Sequence, residues 1–165
     1  MRGSRVHVRV CGTRVATARA VIMKYRQLDQ FPKTFVLVFQ TGDELAKGLA
    51  DFAEEQHLSA ASFKAIGALR SVRLGWFNWE SKKYEPSSTI DEQVELLSLI
   101  GDVALREGKP VVHAHAVIGK KDGTAHGGHL LEAQVRPTCE VVLVESPTNL
   151  QRFWDPASGL ALIRP

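Results

Sequence analysis

Residues 111–131, VVHAHAVIGKKDGTAHGGHLL, set an Asp-Gly pair between two apolar runs. Asp-Gly tolerates the positive φ angles of a tight hairpin turn, and such a turn fixes the register of the strands it joins. A hairpin folded about Asp122 pairs residues whose numbers total about 244, so His115 faces His129. Alternate residues of a strand share a face, which puts His113 on the same side as His115. Directly opposed residues also share a face, so His113, His115 and His129 converge on one patch. Neighbours of this kind lie roughly 5–7 Å apart at Cβ, close enough for three imidazoles to meet one metal ion.

Neutral imidazole suits zinc or another divalent transition metal such as nickel, copper or iron. Three histidines leave a fourth position open, as in catalytic zinc sites where bound water becomes acidic. Water, a ligand carboxylate or a partner side chain would fill that position equally well. The plainer alternative is a polar, solvated or interfacial face. His126 falls opposite Ile118, nearer the turn, and reads as a surface histidine, with a role as fourth ligand left open. A hydrolytic site would want a carboxylate base nearby. Glu95 and Glu140 are the candidates, and both also read as exposed strand carboxylates.

The rest of the chain reads as one helix followed by many strands. Phe35–Phe39 (FVLVF) is a short buried strand. In TGDELAKGLADFAEEQH, Thr41 and Glu44 have capping-box spacing, and Leu45, Leu49 and Phe52 recur at helical spacing on one face. Strands are then expected at Ala61–Ala68, Val72–Trp79, Val94–Val103, Val111–Ile118, His129–Val135 and Glu140–Val144. Lys82–Tyr84 begins a short strand before a turn at Pro86, and a closing pair spans Arg152–Trp154 and Leu160–Ile163. Gly67 and Gly75 suggest bulges or close backbone approach. Trp76, Phe77 and Trp79 read as core or subunit-interface residues, with Leu74, Trp76 and Phe77 as candidates for burial between subunits. The fold class is α+β, with a mostly antiparallel sheet of about seven strands. There is no phosphate-binding glycine loop and no nucleophile elbow, and Gly127-Gly128 reads as backbone freedom at the hairpin.

Charge divides the chain. Residues 1–28 hold seven Lys and Arg and no acid, so the net +3 of the whole leaves residues 29–165 at −4. Residues 1–24 read as a basic arm and 25–165 as the folded domain. The arm has three readings: a leader preceding a start at Met23, a targeting peptide, or an arm that contacts DNA. Little packed structure is expected there, although Val6–Val10 alternates like an edge strand. Only Cys11 and Cys139 are present, which argues against a disulfide framework and for a reducing, cytoplasmic setting. No apolar run reaches the ~18 residues a membrane span needs.

The ordered set GALR (Gly67–Arg70), LGWF (Leu74–Phe77), Tyr84, VELLSLIG (Val94–Gly101), GKPVVHAHAVI (Gly108–Ile118) and GGHL (Gly127–Leu130) resembles prokaryotic PPC-domain proteins, the plant-and-prokaryote-conserved domain associated with AT-hooks. The resemblance runs from about Tyr25 to Ile163. It implies an antiparallel sheet flanked by helices, a homotrimer, and a metal, usually taken as zinc, held at His113, His115 and His129. Plant members use the domain for assembly beside a DNA-binding AT-hook, and prokaryotic members are described as predicted DNA-binding proteins. This chain lacks the Arg-Gly-Arg-Pro core of an AT-hook, and its matching region is acidic. Two functions follow: a metal-binding homotrimeric module for regulation or assembly with DNA contact, or a zinc-dependent enzyme acting on a small-molecule ligand at the three histidines.

Overall fold

Residue alternation with a period of two governs most of the chain, and a computed structural model describes residues 24–30, as backbone alone, and 32–164. The readings made for Val6–Val10 and Cys11 lie outside the described residues. The strands are β1 (Lys24–Gln30), β2 (Lys33–Gln40), β3 (Ala60–Asn78), β4 (Lys83–Ile90), β5 (Val94–Arg106), β6 (Lys109–Gly119), β7 (Ala125–Glu145), β8 (Gln151–Asp155) and β9 (Leu160–Arg164), with one helix, α1 (Leu45–Glu55). All nine belong to one sheet. Every pairing is antiparallel except a single parallel bridge from β5 to β8 at Leu105 and Gln151.

This corrects the expected α+β class, a sheet of about seven strands flanked by helices. The fold is sheet-dominated, and α1 is the single helix among the described residues. The reason lies in the pairing. β3 pairs with β5, β5 with β6, β6 with β7 and β7 again with β3, so these four strands close a ring. Their inward faces bury one another, and the sheet needs only one covering helix instead of a layer of them. Phe63, Leu99, Ala114, Ala116, Ile118 and Leu143 fill the inward side. Phe52 of α1 packs edge-on against Phe35 of β2, with ring centroids 5.1 Å apart.

Two further expectations change in detail. The segments expected as Ala61–Ala68 and Val72–Trp79 are one strand, β3, and the segments around His129–Val135 and Glu140–Val144 are one strand, β7. Register shifts beside Gly67 and near Leu74 absorb the irregularities that look like breaks in the sequence. β4 likewise runs through Pro86, with Ser87 as the extra residue opposite Leu74 and Gly75. Proline is tolerated there because β4 pairs only with β3. The capping box at Thr41 and Glu44 does not form. Glu44 itself is the N-cap, its carboxylate accepting from the amides of Ala46 at 3.2 Å and Lys47 at 2.5 Å. It also accepts from the Ala133 amide at 2.8 Å, which fastens α1 to β7. Thr41 donates to the Pro137 carbonyl instead.

Leu45, Leu49 and Phe52 are buried as expected. So is Leu74, which therefore belongs to the core of the chain, whereas Trp76 and Trp79 are 61% and 60% exposed. The outward face of the ring carries an apolar group that the sequence reading did not single out: Ile66, Leu97, Ile100 and Val117, all exposed. No helix among the described residues is long and apolar enough to cross a membrane.

Gly101 shows how tightly the ring is closed. A Cβ there would lie 2.3 Å from the Phe63 ring and 2.5 Å from the His113 carbonyl oxygen. A backbone atom cannot swing aside as a side chain does. Gly101→Ala is expected to lower stability by about 2–3 kcal/mol in chemical denaturation. An unchanged midpoint would mean that β6 yields at that position.

Candidate metal centre

The hairpin register places the histidines. β6 and β7 pair His115 with His129, Ala116 with Gly128, and Ile118 with His126, as a turn about Asp122 requires. The turn closes through hydrogen bonds from Gly123 N to Lys120 O at 3.0 Å and from Lys120 N to Thr124 O at 2.9 Å. Asp122 accepts from the Thr124 amide and hydroxyl, and Gly123 has φ +82°. Ala114, Ala116 and Ile118 point inward and are buried, so His113 and His115 necessarily point outward.

His113, His115 and His129 converge. One ligand atom from each lies within 4.8 Å of the others. The His113 and His115 rings are 5.1 Å apart at their centroids, His113 and His129 5.2 Å, and His115 and His129 5.5 Å. His126, opposite Ile118, is not in this group. Glu95 and Glu140 are not in it either. They line a cavity of about 520 Å³ whose lining includes Ile66, Leu97 and Pro137 and none of the three histidines.

Three residues around the histidines escaped the sequence reading as site members. Tyr84 of β4 stacks on His129, with centroids 3.9 Å apart and planes inclined by 18°. Asp102 of β5 is the register partner of His113, and its Oδ2 lies 3.7 Å from His113 Nδ1. Arg152 of β8 forms an ion pair with the other oxygen, Asp102 Oδ1. A signal for Asp102 existed. Glu107-Gly108 is a two-residue turn with both φ angles positive, +53° and +79°, and it fixes the β5–β6 register that sets Asp102 opposite His113. Arg152 comes from fifty residues away in sequence and has no comparable local signal.

The surroundings favour the neutral form of His115 and His129. Burial first, then the proximity of His113 and His115, pushes His129 down to about 4. Burial and His113 lower His115. Burial raises the Asp102 carboxyl, but His113 and the Arg152 guanidinium outweigh it and hold it below its ordinary value. Burial raises the Tyr84 phenol against a weaker opposing pull from Arg152. The residues fit a transition metal: the donor set is all imidazole, and the buried Nδ1 of His129 has no hydrogen-bond partner among the described residues. A buried polar atom without a partner is costly, and a metal ion would satisfy it.

Residues 26–147 match the family described as the Plants and Prokaryotes Conserved (PCC) domain. Among solved structures, a metal-containing protein from Archaeoglobus fulgidus is 34% identical, with a TM-score of 0.74 over 87% of this chain and 99% of that chain. A plant- and prokaryote-conserved protein from Pyrococcus horikoshii is 30% identical, with a TM-score of 0.74 over 90% of this chain and 98% of the other. A candidate DNA-binding protein from Bacteroides thetaiotaomicron is 26% identical, with a TM-score of 0.80 over 86% and 96%. No curated protein matches the chain.

The lowered His129 value has a consequence for protein stripped of metal. An unfolded chain protonates this histidine near 6.5 and the folded chain only near 4. Between those values the unfolded state binds the additional proton, so acidification favours unfolding. Thermal melting in chelator is expected to fall progressively as pH drops from about 6.5 to about 4, and His129→Gln to flatten that slope. A wild-type profile as flat as the variant's would show that His129 is not held neutral.

Proposed function

Because the chain belongs to the Plants and Prokaryotes Conserved domain family, we propose that it is a metal-binding module that assembles as a homotrimer, with regulation or assembly as its output. The observation that carries the reading is the convergence of His113, His115 and His129 on one outward patch, with the Nδ1 of His129 buried and without a partner among the described residues. Zinc, or another divalent transition metal, suits an all-imidazole set. Such an ion supplies Lewis acidity and an open position for water, a small-molecule ligand or a partner side chain.

The exposed group Ile66, Leu97, Ile100 and Val117 supports self-assembly. Ile100 is the register partner of His115, and Val117 follows His115 by two residues on the same face. A second copy covering this face would therefore also cover the flank of the metal patch. This face replaces Leu74 as the candidate subunit interface, since Leu74 is already buried within the chain. DNA contact, suggested by one relative's description, is assigned to the basic arm, residues 1–24. Residues 29–165 carry −4, and phosphate affinity comes chiefly from Lys and Arg. The buried free thiol of Cys139 fits a reducing cytoplasm. The zinc-enzyme alternative lacks its expected base: the carboxylate beside the histidines is Asp102, already engaged by Arg152, and not Glu95 or Glu140.

Elemental analysis by inductively coupled plasma mass spectrometry is expected to find about one transition metal per chain, lost in His129→Ala. A metal-free wild type would overturn the metal reading. In the same preparations, native mass spectrometry is expected to give a trimer for the wild type and a smaller species for Ile100→Asp, which sets a charge in the apolar face. A wild type that is monomeric throughout would overturn the assembly reading.

A further inference from the structure

The family match ends at residue 147, and the hairpin β8–β9 follows it. This hairpin is fastened to the domain at the edge of β5. Leu105 N donates to Leu150 O at 2.8 Å, Leu105 pairs with Gln151, and Leu150 N donates to Ser59 O at 3.3 Å. The bridge at Gln151 sets the next residue, Arg152, beside Asp102. The Arg152 side chain is only 9% exposed, and its Nη1 donates to the Ala161 carbonyl of β9 at 3.3 Å, so the hairpin's own second strand holds the guanidinium in place. Nη2 then binds Asp102 Oδ1, while Oδ2 is left facing His113 Nδ1 at 3.7 Å.

The two oxygens of one carboxylate thus serve two partners, a fixed guanidinium and an imidazole of the histidine patch. We infer that Arg152 is a positioning residue for the metal centre: it fixes Asp102, and Asp102 orients His113 by facing its Nδ1, which would leave Nε2 free to hold an ion. This rests on the metal reading above. It gives the C-terminal hairpin a task in the site, although the hairpin lies beyond the segment the family match covers. Carboxylate partners of this kind set the tautomer and ring orientation of a ligand histidine, and their loss weakens metal binding 10–100-fold. The competing account is that Arg152 and Asp102 merely clip the hairpin to the sheet. A clip would affect the stability of the metal-free chain and leave metal affinity alone.

The test is cobalt(II) affinity, read from the visible d–d bands in competition with a chelator, on the full chain. Wild type, Asp102→Asn, Arg152→Met and the double variant are compared, with His129→Ala as the control for the site. Metal-free melting temperatures are recorded alongside. The expected result is about 10–100-fold weaker binding for Asp102→Asn, weaker binding with altered band shape for Arg152→Met, and no further loss in the double variant. Arg152→Lys, which keeps the charge but not the two-pronged geometry, should recover part of the affinity and serves if Arg152→Met does not fold. Unchanged affinity and spectra in variants whose metal-free melting alone is lowered would overturn the inference and leave the metal centre standing. A wild type that takes up no cobalt would overturn both.

Discussion

The pairing of His115 with His129 is the constraint on which the rest of the molecule turns. Side chains alternate sides along a strand, so a slip of one residue would exchange every inward and outward group of β6. The histidines would then enter the core, and Ala114, Ala116 and Ile118 would face water. The cost of that exchange is what makes the patch a fixed feature. The turn residues Asp122, Gly123 and Thr124 select the register locally, and the ion pair of Lys120 with Glu92 at 2.7 Å adds a surface tie beside it. The inward alanines matter as much as the outward histidines. Ala114 and Ala116 take their place in the ring's core, which is where a shifted register would put the imidazoles.

What the sequence disclosed follows from how local each element is. The β6–β7 register was legible because one short turn determines it, and α1 because its apolar period is complete within eleven residues. The lengths of β3 and β7 were not legible. Gly67 looks like a strand break, whereas its lack of a side chain is what lets β3 pass close to β7: a Cβ there would sit 2.5 Å from the Thr138 carbonyl oxygen. The flanking helices failed for a similar reason. Closure of four strands into a ring is a property of pairings among residues 60–145, and no window of sequence contains it. Within the site the same division holds. Asp102 was recoverable from the Glu107-Gly108 turn, and Arg152 was not.

Two neighbourhoods meet at the histidines. On one flank lie Ile100 and Val117, apolar and exposed. On the other lies a row of rings: Tyr84 on His129 at 3.9 Å, Phe77 against Tyr84 at 5.4 Å, and Trp79 against Phe77 at 6.2 Å. Lys82 caps the row, with Nζ 3.3 Å from the Trp79 ring centroid. The exposed tryptophan is therefore the far end of a continuous support that begins at a candidate ligand.

Gly75 stands where that support meets the strand of the histidine. It is the register partner of His129 on β7 and of Pro86 on β4, and so lies between the strand that carries the ligand and the strand that carries Tyr84. A Cβ at Gly75 would press on Leu131, two residues beyond His129, at 3.2 Å. The Tyr84 phenol ring lies nearly flat on the His129 imidazole, with centroids 3.9 Å apart, and so restricts its rotation. Asp102, held by Arg152, faces His113. His129 is thus fixed by stacking and His113 by a carboxylate, while His115, the exposed member, is left to the apolar face where a second subunit would meet it.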